Sequence, residues 1–365
     1  MKETPLTQMH REHKAKLVDF AGWLMPIQYT GVLDEYHAVR QGVGLFDVSH
    51  MGRLNVAGDQ AEDFLQWIST NDVSRLTVGQ AQYNMVCQES GGILDDIFIY
   101  KTAQAEFLVC VNASNRIKIL EWFHTHQQAK FSQVTVHDQS EDIAQLAIQG
   151  PLSQTLLQKV IGSAVETLKP RQCCTIKSNG FSGLLSRTGY TGEIGYEWYL
   201  PAGEAQQAWE ELLKADEGDQ VKPAGLGARD LLRLDVGYLL YGNDMDEKTT
   251  PLEASAEWVV AWDKAEFQGR PALQKLKEQG VTKRLIGFEM MERGIPRHDM
   301  EIVKDGEIVG SVTSGNFSPV LQKGIGLGWL PPELCQEETV FAINIRGKHV
   351  PAKVVKLPFY KRQKS

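Results

Sequence analysis

Residues 91–100 read Gly-Gly-Ile-Leu-Asp-Asp-Ile-Phe-Ile-Tyr, and no other stretch limits the fold as sharply. Its β-branched and aromatic content, opened by Gly91-Gly92, predicts a strand entered from a turn. Side chains alternate along a strand, so Leu94, Asp96, Phe98 and Tyr100 share one face. Asp95 goes to the other with Ile97 and Ile99. Both faces are mostly apolar. A carboxylate there must be hydrogen-bonded, paired or functional, because an unpaired buried charge is costly. The next run, Phe107 to Val111, ends in Val111-Asn112-Ala113-Ser114-Asn115. A hairpin turning around Thr102–Glu106 lays the two runs antiparallel. If Tyr100 opposes Leu108, then Asp96 opposes Asn112 on one face. The alternative is an acid on an edge strand, solvated at a rim.

Around this strand the pattern divides near residue 280. Before it, helices and strands mix. Ala61, Phe64, Leu65 and Ile68 recur at i, i+3, i+4 and i+7, which predicts a helix over 60–69. Ser114 is placed to cap a helix that carries Ile119, Leu120 and Phe123 inward. Leu156, Leu157, Val160 and Ile161 mark another helix, and Trp209, Leu212 and Leu213 one more. Strand-like runs fall near 51–57, 83–88, 93–101, 107–112 and 143–148. Helices do not follow every strand, so the class is α+β and not a doubly wound sheet. After Lys283, apolar runs recur at 285–290, 308–312, 325–330, 340–345 and 350–355, which predicts a small antiparallel barrel or sandwich.

The chain's 365 residues suggest two or three domains. A net charge of −8 gives no basic footprint for nucleic acid. The N-terminus has no signal-peptide core, and the apolar cluster Phe20–Ile27 is broken by Pro26 and too short to span a bilayer. A cytoplasmic chain, or one already processed, is expected, with no membrane partner. Cys87, Cys110, Cys173, Cys174 and Cys335 are odd in number and lack a Cys-x-x-Cys pair, so reduced thiols are expected. Cys110 reads as core.

Several chemistries fall away. Gly225-Leu226-Gly227-Ala228-Arg229-Asp230 lacks the third glycine of a dinucleotide fingerprint, and no P-loop is present. The nine histidines include His124-Thr125-His126 but no set with zinc spacing. Ser49 and His50, adjacent along a strand, face opposite ways and make no dyad. More informative is Arg187-Thr188-Gly189-Tyr190-Thr191-Gly192-Glu193-Ile194-Gly195-Tyr196-Glu197. Its glycines let the backbone turn tightly or approach a ligand. Its tyrosines suit a flat ring. A carboxylate there can accept two parallel N–H bonds from an amidine-like edge. The competing reading is a plain glycine-rich hairpin. Downstream, Arg229 and Arg233 lie at i, i+4 on a helix ending at Gly237, followed by Tyr238 and Tyr241. A solvated charged face is the alternative for those arginines.

These segments together resemble one family. Gly44-Leu45-Phe46-Asp47-Val48-Ser49-His50-Met51-Gly52, Thr70-Asn71-Asp72-Val73, Gly92 to Asp96 and Val111 to Asn115 are similar to stretches of glycine cleavage T proteins, the aminomethyltransferases. So are Gln149-Gly150-Pro151, the Arg187–Glu197 run, Gly225 to Asp230 and Leu240-Tyr241-Gly242. Gly294-Ile295-Pro296-Arg297, Val312-Thr313-Ser314-Gly315, Ser318-Pro319 and Pro358-Phe359-Tyr360 extend the resemblance, which runs from Thr4 to Tyr360. It departs at Pro170-Arg171-Gln172-Cys173-Cys174, where family members often carry aromatics that touch folate.

The resemblance implies an α+β protein, a three-domain cloverleaf around a central folate site with an antiparallel β-barrel as its C-terminal domain. Residues 1–280 are then the folate-binding region, two interleaved α+β domains, and 281–365 the barrel. The implied reaction moves an aminomethyl group from the dihydrolipoyl arm of H protein to tetrahydrofolate. Lipoylated H protein is the implied transient partner and tetrahydrofolate the co-substrate, with no metal, nicotinamide or flavin. By motif position, Asp96 matches the catalytic aspartate. Met51, Tyr83, Tyr100, Asn112, Tyr190, Glu197, Arg229 and Tyr238 match folate-site positions, and Arg362 is a candidate cation for the folate's glutamate tail. Two other readings stand beside this one. One is a folate-dependent demethylase on another methyl donor, whose relatives set a similar module beside a flavin domain. The other is a non-enzymatic folate-binding protein, whose relatives carry a Lys-Gly-Cys-Tyr-x-Gly-Gln-Glu signature not found here.

Overall fold

The computed structural model describes residues 1–218 and 220–362. They form two compact units. The first takes in Met1–Ile68, Asp72–Asn84 and Asp96–Asp230; the second takes in Ser69–Asn71, Met85–Asp95 and the chain from Leu231 on. The division falls inside one strand, between Asp95 and Asp96, and inside one helix, between Asp230 and Leu231.

The Ile93–Ala103 strand is second in a five-stranded sheet ordered Ala81–Cys87, Ile93–Ala103, Glu106–Val111, Gly52–Ala57 and Thr135–Asp138. It is an interior strand, so the edge-strand reading of its acids fails. Tyr100 pairs with Leu108 and Phe98 with Cys110, the hairpin register expected from the sequence. Asp95 is fully buried and Asp96 partly exposed, as their opposite faces require.

The first unit also carries a six-stranded sheet: Cys173–Ser178, Phe181–Ser186, Gly195–Pro201, Ile143–Gln149, Val43–Asp47 and Val221–Pro223. Neighbours are antiparallel except the last pair, which is parallel. Leu156, Leu157, Val160 and Ile161 of the Ser153–Ile161 helix and Trp209 and Leu212 of the Ala205–Lys214 helix pack with Leu146, Ile148 and Trp198 of this sheet. The helix over Ala61–Ile68 buries Ala61, Phe64, Leu65 and Ile68, the residues its period selected. The helix after Asn112 differs from expectation. A 3-10 turn, Ala113–Asn115, precedes the α-helix Arg116–Lys130, and Asn115 holds the cap position in place of Ser114. Ile119 and Phe123 are buried, whereas Leu120 is half-buried. Three residues of 3-10 rotate the face by more than a sequence period registers.

In the second unit the recurring apolar runs form a closed antiparallel barrel. Closure comes from Arg284–Met290, which pairs with both Lys323–Leu330 and Lys348–Val355. Ile286, Phe288 and Met290 point inward by strict alternation, with Ile302, Val312, Leu330, Phe341, Ile343 and Val354. Space inside is tight. A Cβ added at Gly326 would lie 2.4 Å from the Phe288 ring. The sequence left barrel and sandwich open because the strand missing from its five runs, Glu301–Lys304, is four residues long and too short to show a period.

Arg233 corrects the solvated-face alternative. It is 1% exposed. Its Nη1 donates to Asp244 Oδ2 at 2.7 Å and to the Tyr238 carbonyl at 3.1 Å, and its Nη2 to Ser314 Oγ at 2.7 Å. A buried charge needs such partners, and Ser314 lies 81 residues away, beyond any helical spacing.

Candidate active site

Asp96 is held from two sides. Tyr83, on the neighbouring strand Ala81–Cys87, donates its hydroxyl to Asp96 Oδ2 at 3.0 Å. Asn112 donates Nδ2 to Asp96 Oδ1 at 2.7 Å and to the Asp96 carbonyl at 3.2 Å. The predicted Asp96–Asn112 apposition is thus a direct hydrogen bond. These donors fix the direction of the carboxylate.

From Asp96 an aromatic row runs along the same strand face. Tyr83 and Phe98 have ring centroids 5.9 Å apart, and Phe98 and Tyr100 5.7 Å. Met51 packs against the same cluster as Tyr100, Leu108, Cys110, Cys173 and Tyr199. Met51 sits in a turn clamped by Arg53, fully buried, whose guanidinium donates to the carbonyls of Ser49, Met51 and Ser140. Arg53 carries no sequence signal, because its acceptors are backbone carbonyls.

Tyr100 reaches Glu197. The Glu197 carboxylate, 8% exposed, accepts from Gln145 Nε2 at 3.2 Å, from the Tyr100 hydroxyl at 3.4 Å and from the Thr188 hydroxyl. Gln145 and Thr188 escaped the sequence reading. Gln145 stands out only once the Gly195–Pro201 and Ile143–Gln149 strands pair, with Tyr199 opposite Gln145. These donors take part of the carboxylate's acceptor capacity. Oε2 takes the Thr188 and Tyr100 hydroxyls, whereas Oε1 takes Gln145 at 3.2 Å and keeps the better room for a ligand N–H.

The glycines of the Arg187–Glu197 run have a specific use. A Cβ at Gly189 would lie 2.1 Å from Gln149 Oε1, and one at Gly195 would lie 2.3 Å from it. The loop closes around the buried Gln149 amide, which donates to the carbonyls of Thr188 and Tyr196 and accepts from Thr191. Two of the glycines approach a side chain and not a ligand, and Gly192 turns the chain at φ +80°. The loop presents Tyr190, whose ring lies 4.9 Å from the Arg229 guanidinium carbon. Arg229 Nη1 is buried and has no hydrogen-bond partner among the described residues. That donor is unspent, so the site can accept a ligand carbonyl there. Tyr238 and Arg362 belong to the second unit. Tyr238 is 43% exposed, with its backbone N–H bonded to the Arg233 carbonyl. Arg362 is exposed.

Beside Met51, the buried His50 and Asp47 are kept in opposite states. Burial pushes the His50 imidazole down to about 3, with the Arg229 and Arg53 charges adding to it against Asp47. Burial acts to raise Asp47, but hydrogen bonds from His10, Thr4 and Ser49 prevail and hold it at about 2. Both values lie below the unfolded ones, so both groups stabilise the fold at neutral pH and withdraw that support on acidification. The His50 contribution is complete above pH 6.5 and fades as pH falls toward about 3. The melting temperature is therefore expected to fall steadily from pH 7 to pH 5, and His50→Asn to flatten that slope. A melting temperature unchanged over this range contradicts the assignment.

Among the described residues, no His, Cys, Asp or Glu cluster is placed to hold a metal ion, and no helix is long and apolar enough to cross a membrane. All five cysteines are free. Burial pushes the Cys110 thiol up to about 12, in keeping with a core residue.

A family model described as the GCVT N-terminal domain matches residues 6–264, and one described as the glycine cleavage T-protein C-terminal barrel domain matches residues 283–361. An aminomethyltransferase of Halothermothrix orenii is 45% identical over 98% of this chain and 100% of its own. One from Rubrobacter xylanophilus is 46% identical over 100% of this chain and 96% of its own. The crystal structure of the glycine cleavage system aminomethyltransferase T from Bartonella henselae superposes with a TM-score of 0.92 at 33% identity, covering 99% of this chain and 98% of that one.

Proposed function

The chain belongs to the glycine cleavage T-protein family, and on that premise we propose that it carries the aminomethyl carbon from the dihydrolipoyl arm of H protein to tetrahydrofolate. The products are 5,10-methylenetetrahydrofolate, ammonia and dihydrolipoyl H protein. The observation that carries the reading is Asp96, a partly exposed carboxylate on an interior strand, oriented by Tyr83 and Asn112.

Tetrahydrofolate supplies a nucleophilic ring amine and carries the one-carbon unit away. The chain's residues bind it, orient it and stabilise charge. Asp96 faces the amine and offsets the positive charge that develops on nitrogen, and it takes up a proton if one is released. Preorganised groups of this kind contribute about 10²–10⁴-fold. Glu197 receives an N–H of the aminopyrimidinone edge on Oε1, and the unpartnered Nη1 of Arg229 suits its carbonyl. Tyr190 and Met51 supply apolar contact, and Tyr100, fully buried, stands behind them and reaches Glu197. Family position assigns Tyr238 to the ring and Arg362 to the anionic glutamate tail. H protein docks briefly, because a carrier must release after each turnover. The five free thiols suit a reducing compartment, and we place the chain in the cytoplasm.

The test is ammonia release from aminomethylated H protein, measured with and without tetrahydrofolate under oxygen protection. Strong dependence on folate is the expected result. Release at the same rate without folate sinks the reading.

A further inference from the structure

Glu197 sits at the end of a one-way chain of hydrogen bonds. Gln145 spends both amide protons, one on Glu197 Oε1 at 3.2 Å and one on the Tyr199 phenol oxygen at 3.1 Å. The Tyr199 hydroxyl donates to the Tyr100 oxygen at 2.9 Å. Tyr100, accepting there, has its own proton left to give, and both Glu197 Oε2 and Thr188 Oγ1 lie 3.4 Å away; Thr188 itself donates to Glu197 Oε2, so either route ends on that carboxylate oxygen. The amide cannot face the other way. Its oxygen would then meet the carboxylate, and the Cys110 thiol, 3.6 Å from Gln145 Oε1, would lose its acceptor. Gln145, Tyr100 and Tyr199 are each no more than 1% exposed, so these bonds are shielded from bulk solvent. Burial first, then nearby negative charge, keeps both phenols protonated.

The strand pairing explains how the chain is built. Tyr199 and Glu197 are two apart on one strand and share a face, and Tyr199 opposes Gln145 on the next. Tyr100 comes from the five-stranded sheet, four residues along the same face from Asp96. The links therefore join the strand that carries Glu197 to the strand that carries Asp96.

We propose that Tyr199 is a positioning residue for folate binding: it fixes the Tyr100 hydroxyl as a donor toward Glu197 and so sets the direction in which the carboxylate meets its ligand. The proposal rests on the reading that Glu197 recognises the folate ring. Tyr199 lies behind Tyr100 and has no exposed surface of consequence, so it acts through the chain and not by touching the ligand. Its loss is expected to raise the folate KM and leave turnover at saturation nearly unchanged.

The experiment is a double-mutant cycle on tetrahydrofolate affinity with Tyr199→Phe and Glu197→Gln, in the full chain. Tyr199→Phe alone is expected to weaken binding by roughly tenfold, the scale of one lost hydrogen bond, with kcat little altered. In the Glu197→Gln background that loss is expected to vanish. Equal losses in both backgrounds, or no loss on Tyr199→Phe while Glu197→Gln weakens binding, overturn the proposal and leave the folate reading standing. No effect of Glu197→Gln overturns the folate reading of Glu197 and the proposal with it. Should Tyr199→Phe fail to fold, Tyr100→Phe, which removes the hydroxyl that Tyr199 is proposed to fix, goes through the same cycle, and equal losses in both backgrounds overturn the proposal.

Discussion

Asp96→Asn is expected to lower turnover by roughly 10²-fold or more while folate affinity changes much less. The substitution keeps the shape of the side chain and removes its charge. Tyr83 and Asn112 still hold the position, although one amide N–H then faces a donor. Glu197, Tyr190 and Arg229 are untouched, so binding persists and the loss falls on kcat. The neighbouring change, Asp95→Asn, sits on the other strand face and is fully buried. It is expected to cost roughly 1–3 kcal/mol of stability, the scale of disturbed buried hydrogen bonds, and to leave turnover of the folded protein intact. Turnover measured at saturating folate, alongside thermal melts, separates the two. Were Asp95→Asn to abolish turnover in a folded protein and Asp96→Asn to retain it, the catalytic assignment would be reversed.

Glu197→Gln and Glu193→Gln are expected to fail in different ways. Glu197→Gln removes a charged acceptor from the proposed folate edge, and binding weakens by about 10- to 100-fold, since hydrogen bonds to charged groups contribute about 1.5–3 kcal/mol. Glu193 has another duty. Its carboxylate meets Arg40 Nη1 at 2.9 Å, and both side chains are nearly inaccessible, 2% and 6% exposed. Breaking a buried pair leaves one charge uncompensated at a cost of about 3–5 kcal/mol, so Glu193→Gln lowers the melting temperature first and folate affinity second. Isothermal titration with oxygen-protected tetrahydrofolate, paired with thermal melts, reads both. Equal losses of affinity would remove the distinction between the two carboxylates.

Much of the local geometry of the candidate site is legible in the sequence. The alternation in Ile93–Tyr100 separates Asp95 from Asp96, and the short hairpin fixes Asp96 against Asn112, because a register needs only a turn and a two-residue period. The resemblance named Met51, Tyr83, Tyr100, Tyr190, Glu197, Arg229, Tyr238 and Arg362 as site residues, and the structure links Tyr83, Asp96 and Asn112 directly and brings Tyr100 to Glu197. Other parts were not legible. The glycines around Tyr190 look from the sequence like a ligand cradle, whereas two of them make room for Gln149, about 40 residues earlier in the chain. Arg233 looks like a surface charge, whereas its partners are Asp244 and Ser314.

The sequence by itself determined the α+β class, the strand that sends its two carboxylates to opposite faces and the succession of apolar runs after Lys283, since each is written in a local period of two or 3.6 residues. Only the tertiary structure decided that the barrel closes, that Asn115 and not Ser114 takes the cap position of its helix, and that Gln145, Thr188, Tyr199 and Arg53 bond to candidate site residues. The reason is the same for each. Closure, burial and hydrogen-bond direction depend on which distant strands become neighbours, and a chain read in order carries no measure of that distance.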